Sequence, residues 1–177
     1  MSDATEHASI SRFRAAHAER GGTGTIVVLP ESAHTAALAA EALGCEVGAI
    51  ANSLLFEAEP SREQSEAEPS REQSEAEGAP VLILTSGAHR VDTALVAATI
   101  GVAKLKRATP EFVREHTGQV IGGVSPLGHP APVPTYVDSW LRRYPTVWAA
   151  AGHPASVFST TFDELVALTG ATEIEVE

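Results

Sequence analysis

The chain has a single cysteine, Cys45, in 177 residues. No internal disulfide can form, and the composition fits a reducing compartment. Aromatic residues make up only 5%, which leaves Ala, Val, Leu and Ile to fill the core. No apolar run approaches the roughly 18 residues that a membrane span needs. The opening MSDATEHASI lacks the basic and apolar blocks of a signal peptide. Positive charge is scarce as well: 12 Lys and Arg stand against 23 Asp and Glu, a net charge of −11. That balance excludes the broad basic surface with which proteins grip DNA. Together these absences lead us to expect a cytoplasmic protein with neither a membrane nor a DNA partner.

Much of the negative charge is local. Residues 57–77 hold eight Glu and two Arg, a net −6 that leaves −5 for everything else. Basic spots at Lys104–Arg107 and at Arg142 and Arg143 leave room for a small anion-contacting patch. The acidic stretch is also an internal repeat. EAEPSREQS at 57–65 recurs unchanged at 66–74, and a third copy begins at Glu75. With Ala as its only apolar residue and a Pro in each full copy, it has nothing to bury and reads as an expanded loop. Loop closure entropy grows slowly with length, so such an insertion costs little. We expect one domain over residues 1–177, with the repeat inserted at about 57–79.

Helical and strand patterns alternate on either side. Residues 4–19 read as a helix ended by Gly21 and Gly22. GTIVVLP (24–30) reads as a strand, and SAHTAALAAEALG (32–44) as a helix with Ser32 as N-cap and Gly44 past its end. VGAIANSLLFE and APVLILTSG have strand character, the second buried on both faces. RVDTALVAATIG is a helix stopped by Gly101; in TPEFVREHTG, Thr109 caps, Pro110 opens and Gly118 closes another. Strands are expected at 132–137, 146–150 and 156–159, and a last helix from Thr161, with Glu164 as capping-box partner, to Gly170. The regular cadence of a doubly wound sheet is missing. The fold class is mixed α/β (α+β): a curved, barrel-like mixed sheet flanked by helices.

Chemistry concentrates in GQVIGGVSPLGHP, residues 118–130. Glycines there mark a bulge or a close approach to the main chain. The stretch matches neither phosphate-binding pattern, G-x-x-x-x-G-K-[ST] or G-x-G-x-x-G. It can instead present the N–H groups of Gly122, Gly123 and Val124 to a carbonyl or carboxylate oxygen, the device that stabilises an oxyanion. Ser125 precedes Pro126 and is turned away from helical conformation. A glycine-rich bulge at a sheet corner is the competing structural reading. Seven histidines form no metal-ligand spacing and Cys45 has no thiol partner, so no metal and no cofactor are expected. His129 and His153 each sit in a GHP turn; they are turn histidines bonded to local backbone, or rim residues that touch substrate. Ser86, Ser125 and Ser139 lack a nucleophile elbow. If the chain is an enzyme, it works by positioning and backbone donors.

Four segments in order, HTAALAAEALGCEVGAIANSLLF, VLILTSGAHRVD, ATPEFVREHTGQVIGGVSPLGHP and WAAAGHPASVFSTTFDELVALTGA, resemble the YbaK/EbsC family, the ProX-like or prolyl-tRNA-synthetase-associated deacylase domain. The resemblance runs from about residue 24 to the C-terminus, the acidic loop excepted. It implies a distorted barrel-like sheet flanked by helices. It also implies hydrolysis of the ester bond of mischarged aminoacyl-tRNA, with tRNA-Pro and a prolyl-tRNA synthetase among the expected partners. On that basis Asn52, Gly122 and Gly123 are the expected catalytic positions. Ser53, Val124, Ser125, Pro126, Gly128, His129, Gly152 and His153 would contact substrate. One departure stands out: the family strand carries Lys followed by Ser or Thr where this chain has Asn52 and Ser53. Asparagine can hold an oxygen or a water but supplies no positive charge. A noncatalytic relative that binds an aminoacyl or nucleotide-like ligand is therefore the alternative. Ala150 and Val157 stand where the cysteinyl-editing branch has polar residues.

Overall fold

A computed structural model describes residues 8–30, 35–60 and 78–177. Among the described residues five α-helices, α1 (Ala8–Glu19), α2 (Ala36–Leu43), α3 (Thr93–Ile100), α4 (Pro110–Thr117) and α5 (Phe162–Thr169), surround eight strands. The strands are β1 (Ile26–Val28), β2 (Ile50–Glu59), β3 (Ala79–Ser86), β4 (Lys104–Arg107), β5 (Thr135–Asp138), β6 (Val147–Ala150), β7 (Ser156–Thr160) and β8 (Thr172–Ile174). They form one mixed sheet in the order β1-β7-β6-β2-β3-β5-β8, with β4 also on β2. The expected mixed α/β sheet with flanking helices is present.

Local chemistry sets the helix ends. Thr109 accepts from the Phe112 amide at the start of α4, and Gly118 closes the helix at φ 70°. Thr161 accepts from the Glu164 amide, but the reciprocal half of the capping box is not made. The Glu164 carboxylate instead accepts from the amide and hydroxyl of Thr23, 141 residues away. Helix α2 begins one turn later than expected, with Thr35 as its N-cap; Ser32 lies outside the described residues. The acidic insertion is narrower than 57–79. Residues 57–59 belong to β2, and Ala58 pairs with Ala79 of β3. Residues 61–77, most of the repeat, lie outside the described residues.

Both faces of the sheet are covered, which is why VLIL in β3 is continuously apolar. One face carries the main core: Leu82 and Leu84 of β3 and Ala51 and Leu55 of β2 pack with Phe13 of α1, Phe112 of α4, Leu165 of α5 and Val124 and Leu127 of the glycine-rich loop. The opposite face holds two smaller clusters. Ile50 and Val157 pack under Ala39 and Ala40 of α2. Phe56, Ala58, Val81 and Ile83 pack under Val96 and Ala97 of α3. Between them sit Asn52 and its register partner Thr85. The apolar alternation of both strands is interrupted at one cross-strand pair.

Three of the residues in the basic spots are spent on the fold. Lys106 lies 3.7 and 3.6 Å from Glu57 and Glu59 across the β2–β4 pairing. Arg142 binds Glu173 at 2.7 Å, and the Arg143 guanidinium stacks on Trp140. Lys106, Arg142 and Arg143 thus already have partners and do not form the anion patch expected from them.

Candidate active site

Strand β2 is where the sheet opens. One of its edges pairs with β3 along residues 51–58. The other pairs with β6 only at Ile50 and Ala51, then with β4 from Phe56 to Glu59. Residues 52–55 are left between two departing partners. At this break lies a cavity of about 70 Å³, lined by Thr35, Ala36 and Ala39 of α2, residues 50–52 of β2, residues 148–150 of β6, Pro154, Ser156, Val157 and Gly122. Asn52 and Gly122, 70 positions apart in sequence, share it. Among the described residues no ionisable side chain lines this cavity. Asn52 lines the cavity, and among the described residues no hydrogen bond engages its carboxamide, which leaves a donor and an acceptor uncommitted.

Gly122 reaches the cavity through a turn over residues 120–123, closed by a hydrogen bond from the Gly123 amide to the Val120 carbonyl at 3.0 Å. Gly122 takes φ 87°, the left-handed value that a type II turn requires at its third position. A Cβ added there would meet nothing within 4 Å. Its own N–H and that of Val124 have no partner among the described residues. The Gly123 amide is committed to the turn, which corrects the expectation that it donates to a ligand. Gly123 has a different duty: a Cβ there would lie 2.6 Å from Pro154 Cδ, so the absent side chain lets the two loops touch.

A signal we missed in the sequence holds this loop. Gln119 is buried, and its carboxamide accepts from the Ser125 amide at 2.6 Å and donates to Ser125 Oγ at 3.0 Å. Ser125 Oγ donates in turn to the Leu127 carbonyl. Ser125 is fully enclosed by this network, so it is a loop fastener and makes no contact with the Asn52 cavity.

The remaining expected residues separate. Pro126, Gly128 and His129 line a different cavity, of about 180 Å³, with Arg20 and Thr169. There His129 Nε2–H donates to the Ser125 carbonyl at 2.8 Å, and burial pushes the imidazole below its ordinary pKa. His153 Nδ1 accepts from the Ala155 amide at 3.1 Å. Both are turn histidines, the first of the two readings offered for them. Gly152 abuts α1, where an added Cβ would come within 2.5 Å of the Ser9 carbonyl oxygen. Ser53 shares the main-core face with its partner Leu84, opposite Asn52, and its hydroxyl is buried with no partner among the described residues. Thr85, beside Asn52, is 1% exposed with a hydroxyl that also lacks a partner among the described residues. No side-chain periodicity flags such a residue, because threonine is ordinary in a strand.

A site of this kind, with amide donors, a carboxamide and no charge, can bind and polarise an acyl oxygen and orient a water. Among the described residues no cluster of His, Cys, Asp and Glu could hold a metal ion, and no helix is long and apolar enough to cross a membrane. Comparison with known proteins gives this geometry a context. The aminoacyl-tRNA editing domain family matches residues 30–168. An uncharacterised protein of Bacillus subtilis (strain 168), YwhH, is 31% identical over 134 residues, covering 76% of this chain and 74% of that protein. The crystal structure of a candidate trans-editing enzyme for prolyl tRNA synthetase superposes with a TM-score of 0.81 at 41% identity, covering 98% of this chain and 99% of the other. A scaffold protein used for computational epitope backbone grafting gives 0.81 at 37% identity over 97% and 98%. With its sheet, its glycine-rich turn and most of its length matched, the chain belongs to the aminoacyl-tRNA editing domain family.

Proposed function

We propose that the chain hydrolyses the ester bond of mischarged aminoacyl-tRNA in trans. The carrying observation is the meeting of the Asn52 carboxamide and Gly122 at one uncharged cavity. In this reading the aminoacyl group enters between α2, β2 and β6. Its carbonyl oxygen accepts from the unoccupied amide of Gly122. Asn52 Oδ1 accepts a hydrogen bond from a water and aims that water's oxygen at the carbonyl carbon. Attack forms the tetrahedral oxyanion held by that amide; such a donor is worth about 3 kcal/mol in the transition state. Collapse breaks the ester C–O bond, and the ribose oxygen leaves with the proton that the water gave up. Among the described residues no ionisable side chain lines the cavity, so in this reading that proton travels through solvent or the substrate's own hydroxyl. Catalysis then rests on orientation and on donors fixed before the reaction starts.

The similarity to a candidate trans-editing enzyme for prolyl tRNA synthetase supports proline tRNA as the carrier and a prolyl-tRNA synthetase as the associated enzyme. A second reading, a noncatalytic binder of an aminoacyl or nucleotide-like ligand, draws on the same uncharged lining, since Asn52 brings no cation to the oxyanion. Deacylation of a panel of mischarged tRNAs by wild type, Asn52→Lys and Gly122→Ala separates the two. The deacylase reading expects turnover of at least one substrate by wild type, and a drop of tenfold or more for Gly122→Ala. Turnover by Asn52→Lys alone favours the binder.

A further inference from the structure

The cavity of about 180 Å³ beside His129 shares none of its described lining with the Asn52 cavity, and hydrolysis at Asn52 makes no use of it. Much of its wall is apolar: Pro126, Leu127, Pro130, Pro132 and Val133. The proline rings hold their own φ, so this wall is shaped before anything binds. The hydroxyls of Thr135 and Thr169, also on the wall, already donate to the carbonyls of Val133 and Leu165. Arg20 and His129 have capacity to spare. Arg20 Nη1 donates to the Leu168 carbonyl at 2.7 Å. That bond anchors the guanidinium at the end of α5 and leaves its Nε–Nη2 edge uncommitted among the described residues. Among the described residues no Asp or Glu lines the cavity, so a cation faces it without a counter-ion in a chain of net charge −11. His129 offers the opposite function. The Ser125 carbonyl can only accept, so the hydrogen sits on Nε2, and the Nδ1 lone pair has no partner among the described residues. Burial keeps this ring neutral, and the charge of Arg20 pushes the same way.

We infer that this cavity binds a small 2-hydroxycarboxylate, its carboxylate on the Arg20 fork and its hydroxyl donating to His129 Nδ1. The inference stands apart from the deacylase reading. A carboxylate matches the free edge of a guanidinium with two parallel hydrogen bonds. The lone pair of Nδ1 then calls for a donor close to that carboxylate. An ammonium group would put positive charge where Arg20 already disfavours it on the imidazole, so an uncharged hydroxyl fits better. Volume bounds the rest of the molecule. Benzene fills an apolar protein cavity of about 150 Å³, so this one takes about six or seven non-hydrogen atoms, the size of lactate. A methyl group on the carbon that bears the hydroxyl would lie against the proline wall.

The test titrates the full chain, labelled with ¹⁵N, with lactate, propionate and alanine, read by amide chemical shifts. Lactate should move the amides of Gly128, His129 and Thr169. Propionate, which lacks only the hydroxyl, should bind about tenfold more weakly, the worth of one hydrogen bond. Alanine, with an ammonium in place of the hydroxyl, should also bind more weakly than lactate. Arg20→Gln can still donate to the Leu168 carbonyl but has lost the charge and the fork, and should weaken lactate binding about tenfold or more. Asn52→Ala should leave lactate binding as it is. If Arg20→Gln also loosens the end of α5, the ligand series on the wild type still decides. Equal affinity for lactate and propionate overturns the inference, because Nδ1 then takes no part. Alanine binding tighter than lactate overturns it in favour of an amino acid. Absence of lactate binding, or shifts confined to Ala51, Asn52 and Gly122, overturns the site itself.

Discussion

The tripeptide Gly-His-Pro occurs twice, at 128–130 and 152–154, and the two copies face different walls. In the second, Pro154 lines the Asn52 cavity and seats Gly123, while Gly152 presses on the backbone of α1. In the first, Gly128 and His129 line the separate cavity beside Arg20. The histidines bond local backbone in both, one as donor through Nε2, the other as acceptor through Nδ1. Identical residues thus carry no common role. Which loop borders the candidate site is decided by the break in β2, a property of strand pairing that the tripeptide does not encode.

The sharpest way to break this comparison is at the glycines. Gly152 has φ 94° with a backbone oxygen 2.5 Å from a would-be Cβ, whereas Gly128 has φ 80° with nothing nearer than 3.8 Å. Gly152→Ala should cost about 3 kcal/mol or more, from left-handed strain plus a collision with main chain. Gly128→Ala should cost about 1–2 kcal/mol, from strain alone. Urea denaturation of the two variants reads the difference, and equal losses would mean that the α1 contact is not tight.

Gln119→Ala comes next. It strips the buried Ser125 amide of its acceptor and leaves the Ser125 hydroxyl with only the Leu127 carbonyl, for about 1–3 kcal/mol. The first loop should loosen while the second stays in place, a contrast that hydrogen exchange at Ser125 and Ser156 would register. A smaller effect distinguishes the histidines. Burial lowers the folded-state pKa of His129, so below its ordinary value near 6.5 the unfolded chain binds the proton first. His129 therefore contributes nothing to the pH dependence above that value, and it takes stability away as the pH falls through it toward the folded pKa. Replacing His129 with Gln should flatten the stability profile on the acid side of 6.5, as read by urea midpoints across pH.

Much of the fold was legible because its signals are local. Thr109, Pro110 and Gly118 bound α4 as written in the sequence, and Thr161 and Gly170 bound α5. β4 escaped notice because KLKR has a single apolar residue; it pairs with β2 and buries Leu105 beside Phe56 and Ala58, with Lys106 near Glu57 and Glu59. Of the candidate site, Asn52 and Gly122 were legible through motif resemblance. The commitment of the Gly123 amide, the enclosure of Ser125 and the gap between the α2 and α3 clusters were not. The first two turn on particular hydrogen bonds, Gly123 to Val120 and Ser125 to Gln119, that no residue pattern announces, and the third on the pairing of distant segments that sets Asn52 beside Thr85. Thr85 has the weakest signal of all, since only the register of β2 on β3 reveals that its hydroxyl lies beside Asn52.

The central claim is that the acyl group reacts at the Asn52 break and not at the His129 cavity. Single-turnover deacylation of a mischarged proline tRNA by wild type, Asn52→Ala and His129→Gln tests it most directly. The account predicts a fall of about a hundredfold for Asn52→Ala, of the size expected when a polar contact to the reacting centre is removed, and a near wild-type rate for His129→Gln. The reverse pattern, with Asn52→Ala active and His129→Gln dead, would contradict it.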